Sequence, residues 1–280
     1  MVNKVYWQFL LVICGTLSWQ ISSQAQSENR SIPEVIINEE NTQLPEEKLI
    51  EIAQKITVKV FSGRSWGSGI LIQRQGQVYT IVTNRHVLTP ADSYSLQTPD
   101  GQIYSAVVAD NRRFTGYDLA LLQFRSNANY PVAVLGNASS IAVGDEVLAT
   151  GFPIQGDLPS LTPFFVGNKG FMVMKGEVFL LLEQALKEGY QIGYTNDIRK
   201  GMSGGALLNV QGEVIGINGM HAYPLWGDPY VFFDGSQPSS QLREQMIPLS
   251  WGIPVERVTQ RLGQSILEQP NSAVNPNLVD

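Results

Sequence analysis

The chain has 280 residues, 43% of them hydrophobic, and a formal net charge of −6. This length is enough for a sizeable core in one large domain or two small ones. The acidic balance argues against nucleic acid as a partner, because nucleic-acid binding depends on basic surfaces.

Residues 1–25 have the pattern of a signal peptide. Lys4 precedes a mostly apolar run from Val5 to Trp19, and Ser23 and Ala25 put small residues at −3 and −1 of a cleavage site. We therefore predict export to the periplasm or the medium, with no stable membrane span after cleavage. An uncleaved anchor is the alternative, although the apolar run is shorter than the ~20 residues that a span needs.

The rest of the chain divides into three parts. Residues 26–44 are polar and aperiodic, which predicts a flexible lead-in, and residues 270–280 form a predicted loose tail. Residues 45–269 carry the patterned sequence and form the predicted domain. The only cysteine, Cys14, lies in the signal segment, so an exported chain would have no disulfide and would depend on its core for stability.

Helical spacing marks the two ends of the predicted domain. Pro45 opens the first helix, with Leu49, Ile52 and Ile56 on one face, and a last helix runs from 254 to about 267. Short β-rich runs separated by turns lie between them, which predicts an all-β sandwich or barrel. These runs are 58–61, 69–72, 78–82, 119–122, 147–150, 161–165, 175–180, 191–195, 205–208, 214–217 and 249–253.

A segment at 221–247 is rich in aromatic residues, proline and glycine and has no clear period. A loop of this length in a compact domain is often functional or mobile. A surface loop packed on its own aromatic side chains is the equally weighted alternative.

Three residues together suggest acyl-transfer chemistry. His86 follows a predicted strand, Asp118 precedes another, and Ser203 lies between glycines ahead of a third. A serine hydroxyl is a weak nucleophile until an imidazole takes its proton, and a carboxylate behind the ring fixes the tautomer. The order His, Asp, Ser is one of those found in serine hydrolases.

The sequence around these residues resembles the HtrA/Deg family of trypsin-like (chymotrypsin-fold) serine proteases. Residues 83–87, Thr-Asn-Arg-His-Val, resemble its histidine box, and residues 117–122, Tyr-Asp-Leu-Ala-Leu-Leu, its aspartate box. Residues 201–209, Gly-Met-Ser-Gly-Gly-Ala-Leu-Leu-Asn, resemble its serine box, and residues 212–218 the hairpin that follows. The resemblance spans about 48–267 and implies two six-stranded antiparallel β-barrels with the triad in the cleft between them.

Two departures from the pattern qualify the resemblance. Met202 stands where digestive trypsins have an aspartate that pairs with a newly cut N-terminus, so activation by such a cut is not expected. Family members usually carry a PDZ domain after the protease domain. Here the chain ends soon after the last predicted helix, so we expect no PDZ domain.

The resemblance also suggests where a substrate is held. The N–H groups of Gly201 and Ser203 would stabilise an oxyanion. A substrate main chain would pair with Asn218, Gly219 and Met220 rather than with Ser250-Trp251-Gly252, which is expected to be the final strand.

Two further residues are weaker candidates for substrate binding. Asp197 lies six residues before Ser203, the offset of the residue that selects lysine or arginine in trypsin, but a turn residue beside Asn196 is the favoured interpretation. Arg199 and Lys200 would also repel a basic substrate group. His221 could line the pocket, although an exposed or packed histidine is the ordinary alternative.

The sequence thus predicts an exported serine endopeptidase acting on polypeptides through an acyl-enzyme. A protease-fold binding or chaperone-like module with little turnover is the alternative. A secreted esterase is a weaker one, because α/β-hydrolases have the reverse triad order. No HExxH motif or Cys/His ligand spacing accompanies His86 and His221, so no metal or cofactor is expected.

Overall fold

The computed structural model describes residues 43–90, 93–109, 111–154, 165–166, 170–224 and 227–268. The predicted signal peptide, nearly all of the predicted lead-in and the predicted tail lie outside these ranges. The domain boundaries at 25, 44 and 269 therefore remain predictions. Within the residues described, no helix is long and apolar enough to cross a bilayer.

Six antiparallel strands close into the first β-barrel, in the order β1-β2-β3-β6-β5-β4. They are β1 (Thr57–Ser62), β2 (Ser65–Gln75), β3 (Val78–Thr83), β4 (Tyr94–Gln97), β5 (Ile103–Val108) and β6 (Ala120–Arg125). Apolar side chains fill the interior, among them Val58, Val60, Leu71, Tyr79, Ile81, Leu96, Leu122 and Phe124.

The second barrel is also antiparallel, with neighbouring strands in the order β10-β13-β12-β11-β7-β9. A further pairing of β10 with β9 closes this ring of six, and β8 adds to the outer edge of β9. The strands are β7 (Glu146–Gly151), β8 (Phe165–Val166), β9 (Met172–Leu181), β10 (Ile192–Tyr194), β11 (Ala206–Leu208), β12 (Val214–Met220) and β13 (Ser250–Pro254). The prediction of two six-stranded barrels is confirmed.

Three helices accompany the barrels. The two predicted terminal helices are present as α1 (Glu46–Ile56) and α3 (Glu256–Glu268). A short helix, α2 (Ser240–Met246), lies inside the 221–247 segment, where the sequence pattern predicted no regular element. The side chain of Ser239 caps α2 by accepting a hydrogen bond from the backbone N–H of Leu242 at 3.2 Å.

The two barrels share one hydrophobic core, which fixes the cleft between them. Ile70 and Val82 of the first barrel belong to the same buried cluster as Leu148 and Ala206 of the second. Polar contacts add to this packing, because the Trp66 indole N–H donates to a carbonyl of the second barrel at 2.9 Å. Side chains on opposite walls of the cleft are therefore held at fixed separations.

A matched pair of isoleucines tests the first barrel core. Ile81 is fully buried, whereas Ile103 on β5 is 63% exposed. We expect Ile81→Ala to lower the free energy of unfolding by about 2–5 kcal/mol, because it removes buried methyl groups and leaves a cavity. Ile103→Ala should cost less than about 1 kcal/mol. Chemical denaturation measures both, and equal losses would contradict this assignment of the core.

Candidate active site

Asp118 is a buried carboxylate two residues before β6, with 1% of its surface exposed. Its Oδ1 accepts the backbone N–H of His86 at 2.9 Å, and its Oδ2 accepts the Nδ1–H of the same residue at 2.6 Å. The side-chain amide of Asn84 donates to the Asp118 carbonyl at 2.8 Å. These contacts hold the carboxylate behind the imidazole and select the tautomer with its proton on Nδ1.

His86 lies on a 3-10 turn, Arg85–Val87, directly after β3. Its side chain is 49% exposed, so the ring edge opposite Asp118 faces the cleft. Burial opposes the charged imidazole, but the hydrogen bond and the charge of Asp118, with a smaller contribution from Glu188, outweigh it. The pKa of His86 is therefore raised above its ordinary 6.5.

Ser203 lies in a glycine-rich turn that leads into β11. Gly204 has a φ of +85°, and a Cβ there would lie 2.1 Å from the carbonyl oxygen of Ser68, so the turn can pass β2 only with glycine at this position. The Ser203 hydroxyl donates to the carbonyl of Gly219 at 3.1 Å. Within the part of the chain that the structure describes, no hydrogen bond joins the Ser203 hydroxyl to the His86 ring.

The turn before Ser203 leaves two backbone donors available. The Lys200 carbonyl accepts the N–H of Ile154 at 2.8 Å, and because a trans peptide points its N–H the opposite way, the Gly201 N–H is directed away from Ile154. Across the described ranges neither the Gly201 N–H nor the Ser203 N–H has an acceptor. Such a pair can stabilise a developing oxyanion.

Ser68 on β2 fixes this turn from the other barrel. Its hydroxyl donates to the Gly201 carbonyl at 2.8 Å and accepts the N–H of Phe152 at 2.9 Å. Its own N–H donates to the Ser203 carbonyl at 2.8 Å. Sequence reasoning missed Ser68, because no motif connects a serine on the second strand with a turn more than a hundred residues later.

The predicted substrate-binding residues have different environments. Asn218 is fully buried, and its side-chain amide donates to the carbonyls of Thr150 and Ala206, so this side chain serves the fold. Met220 is also buried and pairs with Trp251 on β13. The facing strand β11 pairs with β12 no further than Ile217, so the β12 edge after Asn218 is open to an incoming chain.

The two remaining candidates already have polar partners. Asp197 forms an ion pair with Arg199, two residues along the chain, and both side chains are about one-third exposed. This contact fits the turn interpretation of Asp197 better than a specificity role. His221 is partly buried, and its Nδ1 lies 2.8 Å from the carbonyl oxygen of Ala222.

Tyr190 is a site residue that the sequence analysis missed. Its hydroxyl donates to Asp118 Oδ2 at 2.5 Å from the second barrel. No motif marks this tyrosine, which lies just before β10, and the contact becomes visible only when the barrels are placed together.

Comparison with known proteins assigns the family. The family described as "Trypsin-like peptidase domain" matches residues 67–217, which contain all three predicted catalytic residues. The chain belongs to the trypsin-like peptidase domain family. This confirms the trypsin-like resemblance and, at the level of the family, the prediction of a serine endopeptidase.

Relatives in this family include HtrA and Deg proteins. The chain is 33% identical over 154 residues to human "Serine protease HTRA4", covering 55% of this chain and 30% of the relative. It is 30% identical over 158 residues to "Serine endoprotease DegS" of Salmonella typhimurium, covering 55% of this chain and 39% of the relative. The chain thus spans about a third of the length of these relatives.

A solved structure supports the same fold. The crystal structure of the serine endoprotease from Yersinia pestis aligns with a TM-score of 0.56 at 24% identity, covering 81% of this chain and 68% of that one. Both proteins therefore share the trypsin-like fold.

Titration of His86 tests the electrostatics of this site. With only two histidines in the chain, imidazole signals in ¹⁵N NMR are readily resolved, and His221→Gln identifies which signal belongs to His86. We expect Asp118→Asn to lower the His86 pKa, because it removes the charge that stabilises the imidazolium. The exposed Asp145→Asn is the control. An unchanged His86 pKa in Asp118→Asn would contradict the assigned contact.

The raised pKa of His86 fixes the direction in which the stability of the fold depends on pH. Because the folded-state pKa of His86 is raised, the pair contributes stability that is fully present below the unfolded pKa near 6.5. This contribution is lost as the pH rises through the folded-state value. Since His86 is half exposed, solvent reduces its size.

Proposed function

We propose that this protein is an exported serine endopeptidase that cleaves polypeptides through an acyl-enzyme. Ser203 is the nucleophile, His86 the general base and then the general acid, and Asp118 orients His86. The observation that carries the proposal is the hydrogen-bonded pair of His86 and Asp118, which faces the same cleft as Ser203. The N–H groups of Gly201 and of Ser203 itself are available as donors at this serine. Such a set supports attack on a carbonyl and stabilises the oxyanion that results.

The first step requires a small rearrangement of the resting site. The Ser203 hydroxyl turns from the Gly219 carbonyl towards Nε2 of His86, which takes its proton as the serine oxygen attacks the scissile carbonyl. The oxyanion is held by the N–H groups of Gly201 and Ser203. Protonated His86 then gives its proton to the leaving amine, and a water molecule activated in the same way releases the acyl group.

The substrate main chain is proposed to pair with Gly219 of β12 and with His221, which directly follows that strand. The β12 edge is unpaired on the β11 side beyond Asn218, and main-chain pairing is the common way for a sheet edge to bind an extended peptide. Polypeptides are therefore the proposed partners. The formal net charge of −6 does not favour nucleic acid.

Export is part of the proposal and rests on the signal-peptide pattern of the first 25 residues and on one relative whose name gives a periplasmic location. One relative, 31% identical over 156 residues, is named "Probable periplasmic serine endoprotease DegP-like", from Buchnera aphidicola, and the match covers 29% of it. A protease that acts on unfolded polypeptides outside the cytoplasm would agree with a chain whose only cysteine precedes the predicted cleavage site.

A protease-fold binding module with little turnover is the second candidate. The specific observation in its favour is the Ser203 hydroxyl bound to the Gly219 carbonyl rather than to His86. The two candidates differ in the reactivity of Ser203 towards a fluorophosphonate probe, because an idle serine would not be phosphonylated.

Ser203→Ala tests the nucleophile. We expect hydrolysis of unfolded casein to fall by about 10⁶-fold, to background, and fluorophosphonate labelling to disappear, because the proposed acyl-enzyme forms on the Ser203 hydroxyl. Ser105→Ala, at an exposed serine on β5, is the matched control and should keep both activities. Casein hydrolysis that survives in Ser203→Ala would disprove the proposal. A folded wild-type protein that neither cleaves casein nor reacts with the probe would favour the binding module.

Asp197→Ser tests the trypsin-like specificity hypothesis. Because the Asp197 carboxylate is paired with Arg199, it is not available to bind a basic substrate group. We expect the cleavage profile on a peptide library to be unchanged. A selective loss of cleavage after lysine or arginine would instead assign Asp197 to the specificity pocket.

A further inference from the structure

Tyr190 joins the second barrel to the buried carboxylate of the first. Its side chain is 5% exposed, and its hydroxyl lies 2.5 Å from Asp118 Oδ2, the oxygen that also accepts the Nδ1–H of His86. Asn84, His86 and Asp118 all belong to the first barrel. The Tyr190 hydroxyl therefore links the His86–Asp118 pair, by a side-chain hydrogen bond, to the barrel that carries Ser203.

Gly219 makes room for the phenol. A Cβ at position 219 would lie 2.4 Å from the Tyr190 hydroxyl oxygen and 2.5 Å from its ring, closer than non-bonded atoms approach. The phenol therefore occupies space that any larger residue at 219 would need. The carbonyl of the same glycine accepts the Ser203 hydroxyl, so one position adjoins both the nucleophile and the support of Asp118.

The loop that carries Tyr190 is fixed at several points. The N–H of Asp118 donates to the carbonyl of Glu188 at 2.9 Å, and Glu188 has a φ of +65°, a strained value for a residue with a side chain. The N–H of Gln191 donates to the carbonyl of Gly252 on β13 at 3.0 Å. A strained residue held at this point indicates that the surrounding contacts determine the loop conformation.

The 221–247 segment adds to this support. The N–H of Lys187 donates to the Val231 carbonyl at 2.8 Å, and the N–H of Phe233 donates to the Ala185 carbonyl at 2.9 Å. The segment therefore braces the Tyr190 loop from outside. The Phe233 ring also packs on Tyr117, the residue before Asp118, with ring centroids 5.7 Å apart.

We propose that Tyr190 is a positioning residue, which holds the Asp118 carboxylate in register with His86 and draws part of its charge away from the imidazole. Its effect on reaction rate rests on the function proposed above, whereas its effect on His86 does not. This arrangement also requires glycine at position 219, because a larger residue there would leave no space for the Tyr190 phenol.

The charges around both groups fix the expected sign. Asp118, Glu188 and Arg85 face His86, while Asp118, Glu188 and Tyr194 face Tyr190. Burial and the neighbouring carboxylates raise the pKa of the Tyr190 hydroxyl well above 10, so it remains a neutral donor wherever His86 titrates. Removing a donor concentrates the carboxylate charge on the imidazole, and this favours the imidazolium.

The test is Tyr190→Phe, followed by the ¹⁵N titration of His86. We expect the His86 pKa to rise by about 0.5 unit, an effect that a merely structural tyrosine would not produce. Tyr230→Phe is the matched control, because Tyr230 is equally buried and donates to the Met246 carbonyl, away from Asp118. A His86 pKa in Tyr190→Phe that equals or falls below that of the wild type would overturn the proposal.

Kinetics give a second readout on the same variants. We expect kcat of Tyr190→Phe to fall roughly tenfold with KM unchanged, because orientation of the base is altered while substrate contacts remain. The acid limb of the kcat/KM profile should move to higher pH together with the NMR titration. A kcat and an acid limb equal to those of Tyr230→Phe would also overturn the proposal.

Gly219→Ala provides a variant that keeps the side chains of both Tyr190 and Asp118. The added Cβ must displace the phenol from Asp118, so the His86 pKa should rise as in Tyr190→Phe, and this variant decides the matter if Tyr190→Phe does not fold. The proposals fail separately. A shifted His86 titration in a protein without hydrolytic activity supports the positioning role of Tyr190 and refutes the proposed function. An active enzyme whose His86 titration does not shift supports the function and refutes the positioning role.

Discussion

The structure depends on how the buried charge of Asp118 is satisfied. Removing a carboxylate from water costs several kcal/mol unless hydrogen bonds replace its hydration. Here the donors are the backbone and ring N–H groups of His86 from one barrel and the hydroxyl of Tyr190 from the other. Moving the barrels apart would leave this charge with fewer donors, so the chemistry of the cleft and the packing of the barrels are energetically coupled.

The coupling is reciprocal across the cleft. Asp118 belongs to the first barrel and receives a hydrogen bond from the second, while the Ser203 turn belongs to the second barrel and is held by Ser68 of the first. The two halves of the proposed triad are thus each positioned by the opposite barrel. Neither barrel alone would present both the imidazole–carboxylate pair and the turn in working geometry.

Sequence reasoning found the parts of this arrangement that are encoded locally. The boxes at 83–87, 117–122 and 201–209 each combine a strand boundary with a reactive side chain, and periodic patterns indicated both terminal helices and most strands. Strands β4 and β5 were missed, and each of them buries a single residue, Leu96 in β4 and Ala106 in β5.

The residues that were missed act over long distances in the chain. Ser68 and Tyr190 are ordinary strand and loop residues until the barrels meet, when each contacts a partner in the other barrel. Asn218 illustrates a second limit of local patterns, because the sequence predicted main-chain pairing at this position but not that its side chain is turned into the protein. Local patterns therefore identified the candidate reactive groups, and the tertiary contacts determine which residues orient them.

The resting position of Ser203 bears on how ready the site is for reaction. In the proposed mechanism its hydroxyl exchanges the observed hydrogen bond to the Gly219 carbonyl for one to the imidazole, and a typical net hydrogen bond is worth about 1 kcal/mol. Rotation of one short side chain is therefore a small part of any barrier. The costly elements of acyl transfer are the oxyanion donors and the oriented imidazole, and their geometry is fixed by Ile154, Ser68 and Asp118 before a substrate arrives. In the proposed mechanism the hydroxyl of Ser203 rotates, while the imidazole and the backbone donors keep the contacts that already hold them.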